Sequence, residues 1–272
     1  MIQNETLQKY PRTPHLRGSK LQKGDDANTI TIESLAGKYV VIEEKVDGAN
    51  AGFSFTSGGD LRLQCRGHYL TGGGRESQFG QFKSWVSQFE GNFLERFEDR
   101  YLVFGEWMYE KHTIYYDRLP HLFLEFDIWD RKEQAFLSTA ARHALCQDLP
   151  IAHVPVLYEG PCPSDRSLRS MVGPSAFKTP SWEASLLEAA ELRGIPEPLL
   201  RQQTLWDQHM EGLYLKVETP EHTIGRAKWV RPDFVQTIVD SNSHHQDRIL
   251  VPNKLEPGIN IFHTPHHQEW TL

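Results

Sequence analysis

Three strand-like runs, "KYVVIEEKV", "ANAGFSF" and "LRLQCRG", follow one another between residues 38 and 67, with glycine turns joining them. Residues 39–46 and 49–55 read as the arms of a β-hairpin, because Asp47-Gly48 is a dipeptide that a tight type I′ turn favours. The hairpin accounts for Asp-Gly. It does not require Lys45, Asp47 and Asn50 to stand together, so these three residues are the first candidates for chemistry.

Beyond residue 75 the apolar period becomes helical: Phe79, Phe82, Trp85, Val86, Phe89, Phe93, Leu94 and Phe97 follow that spacing, with a break expected at Gly91-Asn92. "YLVFGEW" and "LFLEFDIWD" return to strands, and Ser138 is placed to cap a short helix running to about Gln147. Residues 164–208 read as mostly helical, with one helix opened by Pro180-Ser181 and residues 196–198 dividing it from the next. "EGLYLKVE" and "HTIGRAKWV" read as a second hairpin turned near Pro220, followed by "RPDFVQTIV", expected to be helical. Residues 1–38 are irregular apart from a short strand at 29–32.

A chain of 272 residues, 39% of them hydrophobic, can bury one large core, and without repeats or linkers it reads as one mixed domain. No run approaches the roughly 18 apolar residues of a membrane helix, and "MIQNETLQKYPRTPH" lacks the apolar centre of a signal peptide. A cytoplasmic location away from membranes is the expectation. Cys65, Cys146 and Cys162 have neither metal-ligand nor redox spacing and read as reduced. The net charge of −7 argues against a protein that coats nucleic acid. Basic residues nevertheless gather at Arg12, Arg17, Lys20 and Lys23 and at Arg226, Lys228 and Arg231, which suits an enzyme that grips one nucleotide and a strand end.

Six short strings stand in strand or strand-turn settings: "EKVDGAN", "CRG", "FGEW", "EFDIWD", "EGLYLKV" and "GRAKWV". Together and in this order they resemble the motifs of the covalent nucleotidyltransferases, the superfamily of ATP-dependent DNA and RNA ligases and mRNA-capping enzymes. Lys-x-Asp-Gly followed by Ala-Asn looks most like the phage RNA ligase 2 type and its bacterial RNA-repair relatives. The resemblance spans roughly residues 10–232, and "YPRTPHLRGS" and "VPNKL" are similar to bacterial ligases that accompany polynucleotide kinases.

The resemblance implies an α+β nucleotidyltransferase (ATP-grasp-like ligase) domain of two antiparallel sheets with flanking helices. It would occupy residues 1–232, with residues 233–272 a short C-terminal extension and no separate OB domain. It implies ATP-dependent joining of RNA 3′-OH and 5′-phosphate ends through a lysyl-AMP, with Mg2+ or Mn2+, on nicked or broken RNA and beside a polynucleotide kinase or phosphatase. Capping-type or DNA-ligase-type nucleotidyl transfer, and a non-catalytic protein that binds RNA ends, are the alternatives.

In that scheme Lys45 attacks the α-phosphorus of ATP. A free lysine, with a pKa of about 10.4, is protonated at neutral pH, so a metal ion or Lys228 is needed to make it neutral. Asp47, Glu106 and Glu211 correspond to the carboxylates that hold the hydrated metal, and Glu106 also to the one that bonds the ribose. Phe126 matches the aromatic that stacks on adenine, Lys216 the lysine that reaches it, and Glu44 joins the nucleotide-binding set. Arg66 is expected on phosphate or the strand end, and Asn50 on the transferring phosphate. Arg226 and Lys228 alternate across Ala227, so both face one side of a strand, with arginine where Lys-x-Lys is commoner. Taken singly, Asp47 is a turn residue, Glu106 one half of a buried ion pair, Glu211 a solvated strand entry and Phe126 core. His244, His245, His263, His266 and His267 read as solvated rather than zinc-binding.

Overall fold

β-Branched and aromatic residues dominate the runs that become strands. The computed structural model describes residues 6–21, 28–234 and 249–263. Its early strands are β1 (His15–Leu16), β2 (Thr29–Ile30), β3 (Tyr39–Lys45), β4 (Ala49–Phe55) and β5 (Leu61–Cys65). Two aromatic-rich helices, α1 (Gly80–Gln88) and α2 (Glu90–Phe97), precede β6 (Tyr101–Trp107), β7 (Phe123–Asp130) and β8 (Ala135–Leu137). Then come α3 (Thr139–Cys146), β9 (Ala152–His153), β10 (Val156–Pro161), α4 (Asp165–Arg169), α5 (Trp182–Glu191), α6 (Glu197–Gln202), β11 (Gly212–Glu218) and β12 (His222–Val230).

The sheet runs β10-β3-β11-β12-β8-β7-β6-β4-β5 and is antiparallel along that path. Here the structure corrects the expectation of two sheets. Short β8 pairs with β12 at one side and with β7 at the other, so two halves are hydrogen-bonded into one sheet. Away from β8 the halves part: β12 pairs with β1 at Lys228, and β7 pairs with β9 at Leu124 and Glu125.

The first hairpin is also corrected. β3 lies between β10 and β11, while β4 lies between β5 and β6, so Asp47-Gly48 carries the chain from one half of the sheet to the other. The reason is packing. Val40 and Ile42 belong to a core with Leu213, Leu215 and Trp229, whereas Phe53 and Phe55 belong to a second core under α1 and α2. In that second core Phe53 stacks on Phe93 at 4.9 Å and Phe82 on Phe123 at 5.5 Å. Each such side chain contributes roughly 1.5–3 kcal/mol by burial.

Helix α1 ends at Phe89 rather than at Gly91-Asn92, because Phe89 is buried against Phe93 and leaves helical ψ at 15°. The second hairpin stands as read, with β11 and β12 paired and Thr219 N donating to His222 O at 2.8 Å. Ser138 caps α3 by accepting from Ala141 N. Between residues 164 and 208 there are three short helices with an irregular stretch after α4, and the strand near residue 30 stops at Ile30, where a short 3-10 turn begins at Ile32. The helix expected in "RPDFVQTIV" falls mostly outside the described residues, as do His244, His245, His266 and His267; His263 is exposed. Among the described residues no helix is long and apolar enough to cross a membrane.

Candidate active site

Alternation along β3 divides its side chains. Val40 and Ile42 enter the core, so Glu43 and Lys45 face the other way, into a cleft of about 420 Å³. The parting of the two sheet halves places this cleft where strand ends from both meet. Of the residues singled out by sequence, Lys45, Asp47, Asn50, Arg66, Glu106, Phe126, Glu211 and Lys228 all line it.

Asp47 and Gly48 make the crossing rigid. The Asp47 carboxylate accepts from Thr113 N at 2.7 Å and Ile114 N at 2.9 Å, while Asp47 N donates to the Tyr116 hydroxyl at 2.8 Å. Gly48 N donates to Glu106 Oε1 at 3.1 Å. A Cβ at Gly48 would lie 2.7 Å from Met108 Sδ and 2.8 Å from the Trp107 carbonyl oxygen, so only glycine permits this approach. The loop that holds Asp47 is itself pinned by "VPNKL": Asn253 accepts from Tyr116 N at 2.9 Å and donates to Met108 O at 2.7 Å.

Lys45 Nζ lies 2.6 Å from Glu211 Oε2. Burial works to lower the Lys45 pKa, but Glu211, with Glu106 and Asp47 behind it, more than offsets that and raises it. Burial pushes Glu106 up to about 7, against the pull of Lys45 and with the push of Asp47 and Glu211. Glu211 is likewise pushed up to about 7 by burial, against Lys45 and with Asp47 adding to the rise. Three carboxyl groups are thus crowded beside Lys45, in a cleft that Arg66 and Lys228 also line. Asn50 is paired in register with Glu106, and its Oδ1 is buried without a hydrogen-bond partner among the described residues. Three carboxylates and an unsatisfied amide oxygen form a donor set that suits a hard, hydrated cation such as Mg2+ or Mn2+.

Three of the expected residues are placed differently. Glu44 reaches the cleft lining, but its carboxylate accepts from Ser175 Oγ at 2.5 Å and Ala176 N at 3.1 Å. Lys216 is fully buried, 3.0 Å from Glu43 Oε2 and 3.4 Å from Asp127 Oδ1, and donates to the Phe126 carbonyl. Arg226 Nε donates to Asp127 Oδ2 at 3.0 Å, and its guanidinium lies 3.8 Å from the Phe136 ring centre. Arg226 and Lys228 share a strand face, yet only Lys228 lines the cleft.

These groups belong to a charged layer beneath the cleft. Arg142, fully buried on α3, donates to Glu43 and, at 2.5 Å, to Glu125 Oε2. His153 Nδ1 lies 2.7 Å from that same Glu125 oxygen. Sequence reasoning missed Glu43, although its place two residues before Lys45 puts both on one strand face. It also missed Tyr10, Thr13, His112 and Tyr214, which line the cleft. Tyr214 had the same period-two signal, counted from Lys216. His112 stands in an irregular loop without such a signal.

No curated protein matches the chain in sequence. Among solved structures, a Naegleria gruberi RNA ligase mutant with ATP and Mn shares 17% identity at a TM-score of 0.47, covering 80% of this chain and 55% of that one. An apo mutant of the same ligase shares 16% at 0.48, covering 89% and 65%, and a mutant with AMP and Mn shares 15% at 0.47, covering 89% and 66%. The chain thus spans between about half and two thirds of the length of these ligases. The assignment rests instead on a family model, that of the RNA ligases, which matches residues 38–230. That span runs from before β3 to the end of β12 and takes in every strand that lines the cleft, so the chain belongs to the RNA ligase family.

Proposed function

We propose that the protein is an ATP-dependent RNA ligase that joins 3′-OH and 5′-phosphate ends, with Lys45 as nucleophile. The observation that carries this reading is the Lys45 ammonium at the wall of a nucleotide-sized cleft, 2.6 Å from Glu211 and facing Glu106 and Asp47.

Lys45 Nζ, once it has lost its proton, forms a bond to the α-phosphorus of ATP as the bond to pyrophosphate breaks. The AMP then passes to a terminal 5′-phosphate, whose oxygen attacks the same phosphorus and releases Lys45. A 3′-hydroxyl attacks the adenylated 5′-phosphate, AMP leaves, and the phosphodiester is made. Asp47, Glu106 and Glu211 would hold a divalent cation, which when bound supplies charge to neutralise phosphate oxygens. Asn50 orients the transferring phosphate, Glu106 takes the ribose hydroxyl, and Phe126 stacks on the base. Lys228 and Arg66 face phosphate oxygens, where fixed cations stabilise developing charge.

Lys216 and Arg226 support this pocket from below by fixing Asp127 and the Phe126 carbonyl. The substrates of this reading are broken or nicked RNA ends, and an end-healing kinase or phosphatase is its partner. The test is sealing of a labelled nicked RNA duplex with ATP and magnesium. A longer product with the parent protein and none with Lys45→Ala is expected; equal sealing by both would reject Lys45 as the nucleophile.

A further inference from the structure

Residues 10–13 run along the cleft before the chain enters β1, and they carry two hydroxyl groups into its wall. Tyr10 OH donates to Asp127 Oδ2 at 2.5 Å, Tyr10 and Tyr214 hydroxyl oxygens lie 2.7 Å apart, and Thr13 Oγ1 lies 2.7 Å from the Tyr214 hydroxyl. A hydroxyl has one proton to give, so the direction of this chain is decided at its end. Asp127 is buried, which alone would raise its pKa, but Arg226 and Lys216 hold it down to about 2. It is therefore ionised and accepts only. Both tyrosines keep their protons at neutral pH, because burial raises each of them.

Tyr10 commits its proton to Asp127, so its oxygen accepts from Tyr214. Tyr214 has then committed its own proton, so it accepts from Thr13. The chain runs Thr13 to Tyr214 to Tyr10 to Asp127, and Thr13 Oγ1, at its head, is left with lone pairs and no proton to offer.

The place of Thr13 tells what it would meet. Lys45 is in register with Gly212, and Glu43 with Tyr214, which puts Tyr214 two residues, roughly 7 Å, along the strand from the nucleophile. β1 begins at His15, opposite Lys228, and the Thr13 hydroxyl lies 2.7 Å from that of Tyr214, so Thr13 stands with Tyr214 at that distance from the nucleophile. Tyr10 packs edge-on against Phe126 at 5.1 Å. Given the functional reading above, on which this inference rests, Phe126 marks the base end of the cleft.

We propose that Thr13 is a specificity-determining residue that accepts a hydrogen bond from the 6-amino group of the bound purine and disfavours a 6-oxo base. Two acceptors would face each other in the second case, and a polar site left without its partner discriminates strongly. Tyr214, Tyr10 and Asp127 are positioning residues: they remove the Thr13 proton from play.

The experiment measures the rate of covalent nucleotide addition with ATP and with inosine triphosphate, its 6-oxo analogue, for the parent, Thr13→Val and Tyr214→Phe. The ratio of the two rates within each protein cancels any difference in folded fraction. The parent is expected to favour ATP. Thr13→Val should slow the ATP reaction by about tenfold and bring the ratio toward one. Tyr214→Phe returns the proton to Thr13, so the inosine reaction should rise several-fold while the ATP reaction falls. The same ratio in all three proteins, with adducts forming, would overturn the role of Thr13. No adduct on the parent with either nucleotide would overturn the ligase reading, and this inference with it.

Discussion

Lys45 and Glu211 are held 2.6 Å apart by adjacent strands, because Lys45 is in register with Gly212, the residue directly after Glu211. The contact keeps the amine protonated, whereas the proposed attack on phosphorus needs it neutral. On that proposal, Glu211 is drawn to another partner when nucleotide and cation bind. Replacing Glu211 by Gln separates its two roles. If restraint of the proton were all it did, the variant would form the adduct faster. With a share in the cation site, it should be slower by about 100- to 1000-fold, with an unchanged circular dichroism spectrum. Single-turnover adduct formation decides the sign.

Gly212 is the hinge of that register. A Cβ there would lie 2.0 Å from the Trp229 carbonyl oxygen, a backbone atom that cannot step aside, whereas a Cβ at Gly225 on the same hairpin meets nothing closer than 3.4 Å. Gly212→Ala should therefore lose at least about 1–3 kcal/mol in urea unfolding, and Gly225→Ala should stay within about 1 kcal/mol of the parent. Equal effects at both sites would contradict the packing described.

Glu44 makes stability depend on pH. Burial pushes its carboxyl up to about 7, against the hydrogen bonds from Ser175 and Ala176. A carboxyl whose pKa is higher in the folded chain than the usual 4.5 or so binds more protons folded than unfolded. Its stabilising contribution is full below that value and is lost as pH rises through about 7. Glu44→Gln, fixed in the neutral form, should show a smaller fall in unfolding free energy between pH 5 and 7.5, by about 1–3 kcal/mol. Parallel stability curves for the two proteins would show that Glu44 stays ionised.

Arg142 ties Glu43 to Glu125 beneath the cleft. Arg142→Leu removes this shared buried cation and leaves Glu43 to Lys216 and Glu125 to His153, and a loss of about 3–5 kcal/mol in chemical denaturation is expected. A variant as stable as the parent would mean that the acids take up protons at little expense.

Lys45, Asp47, Asn50, Glu106 and Glu211 were legible because they lie in short strings whose chemistry is local: Lys45 and Asp47 flank one valine, and Glu211 precedes a glycine. The Ser138 cap and the β11–β12 hairpin were legible for the same reason. The first hairpin was not, because Asp-Gly states a local preference while the two cores decide which strands β3 and β4 join. Nor was the burial of Lys216 and Arg226. Lys216 reads as a strand lysine until Glu43 and Asp127 are brought beside it from sequence-distant strands, and Arg226 as a free cation until Asp127 meets it.

The most direct measurement is the intact mass of the purified protein after incubation with ATP and magnesium, beside Lys45→Ala. The account requires an added mass of about 329 Da, one AMP, on the parent after pyrophosphate has first stripped any bound AMP, and none on the variant. An adduct on both proteins, or on neither, would contradict it.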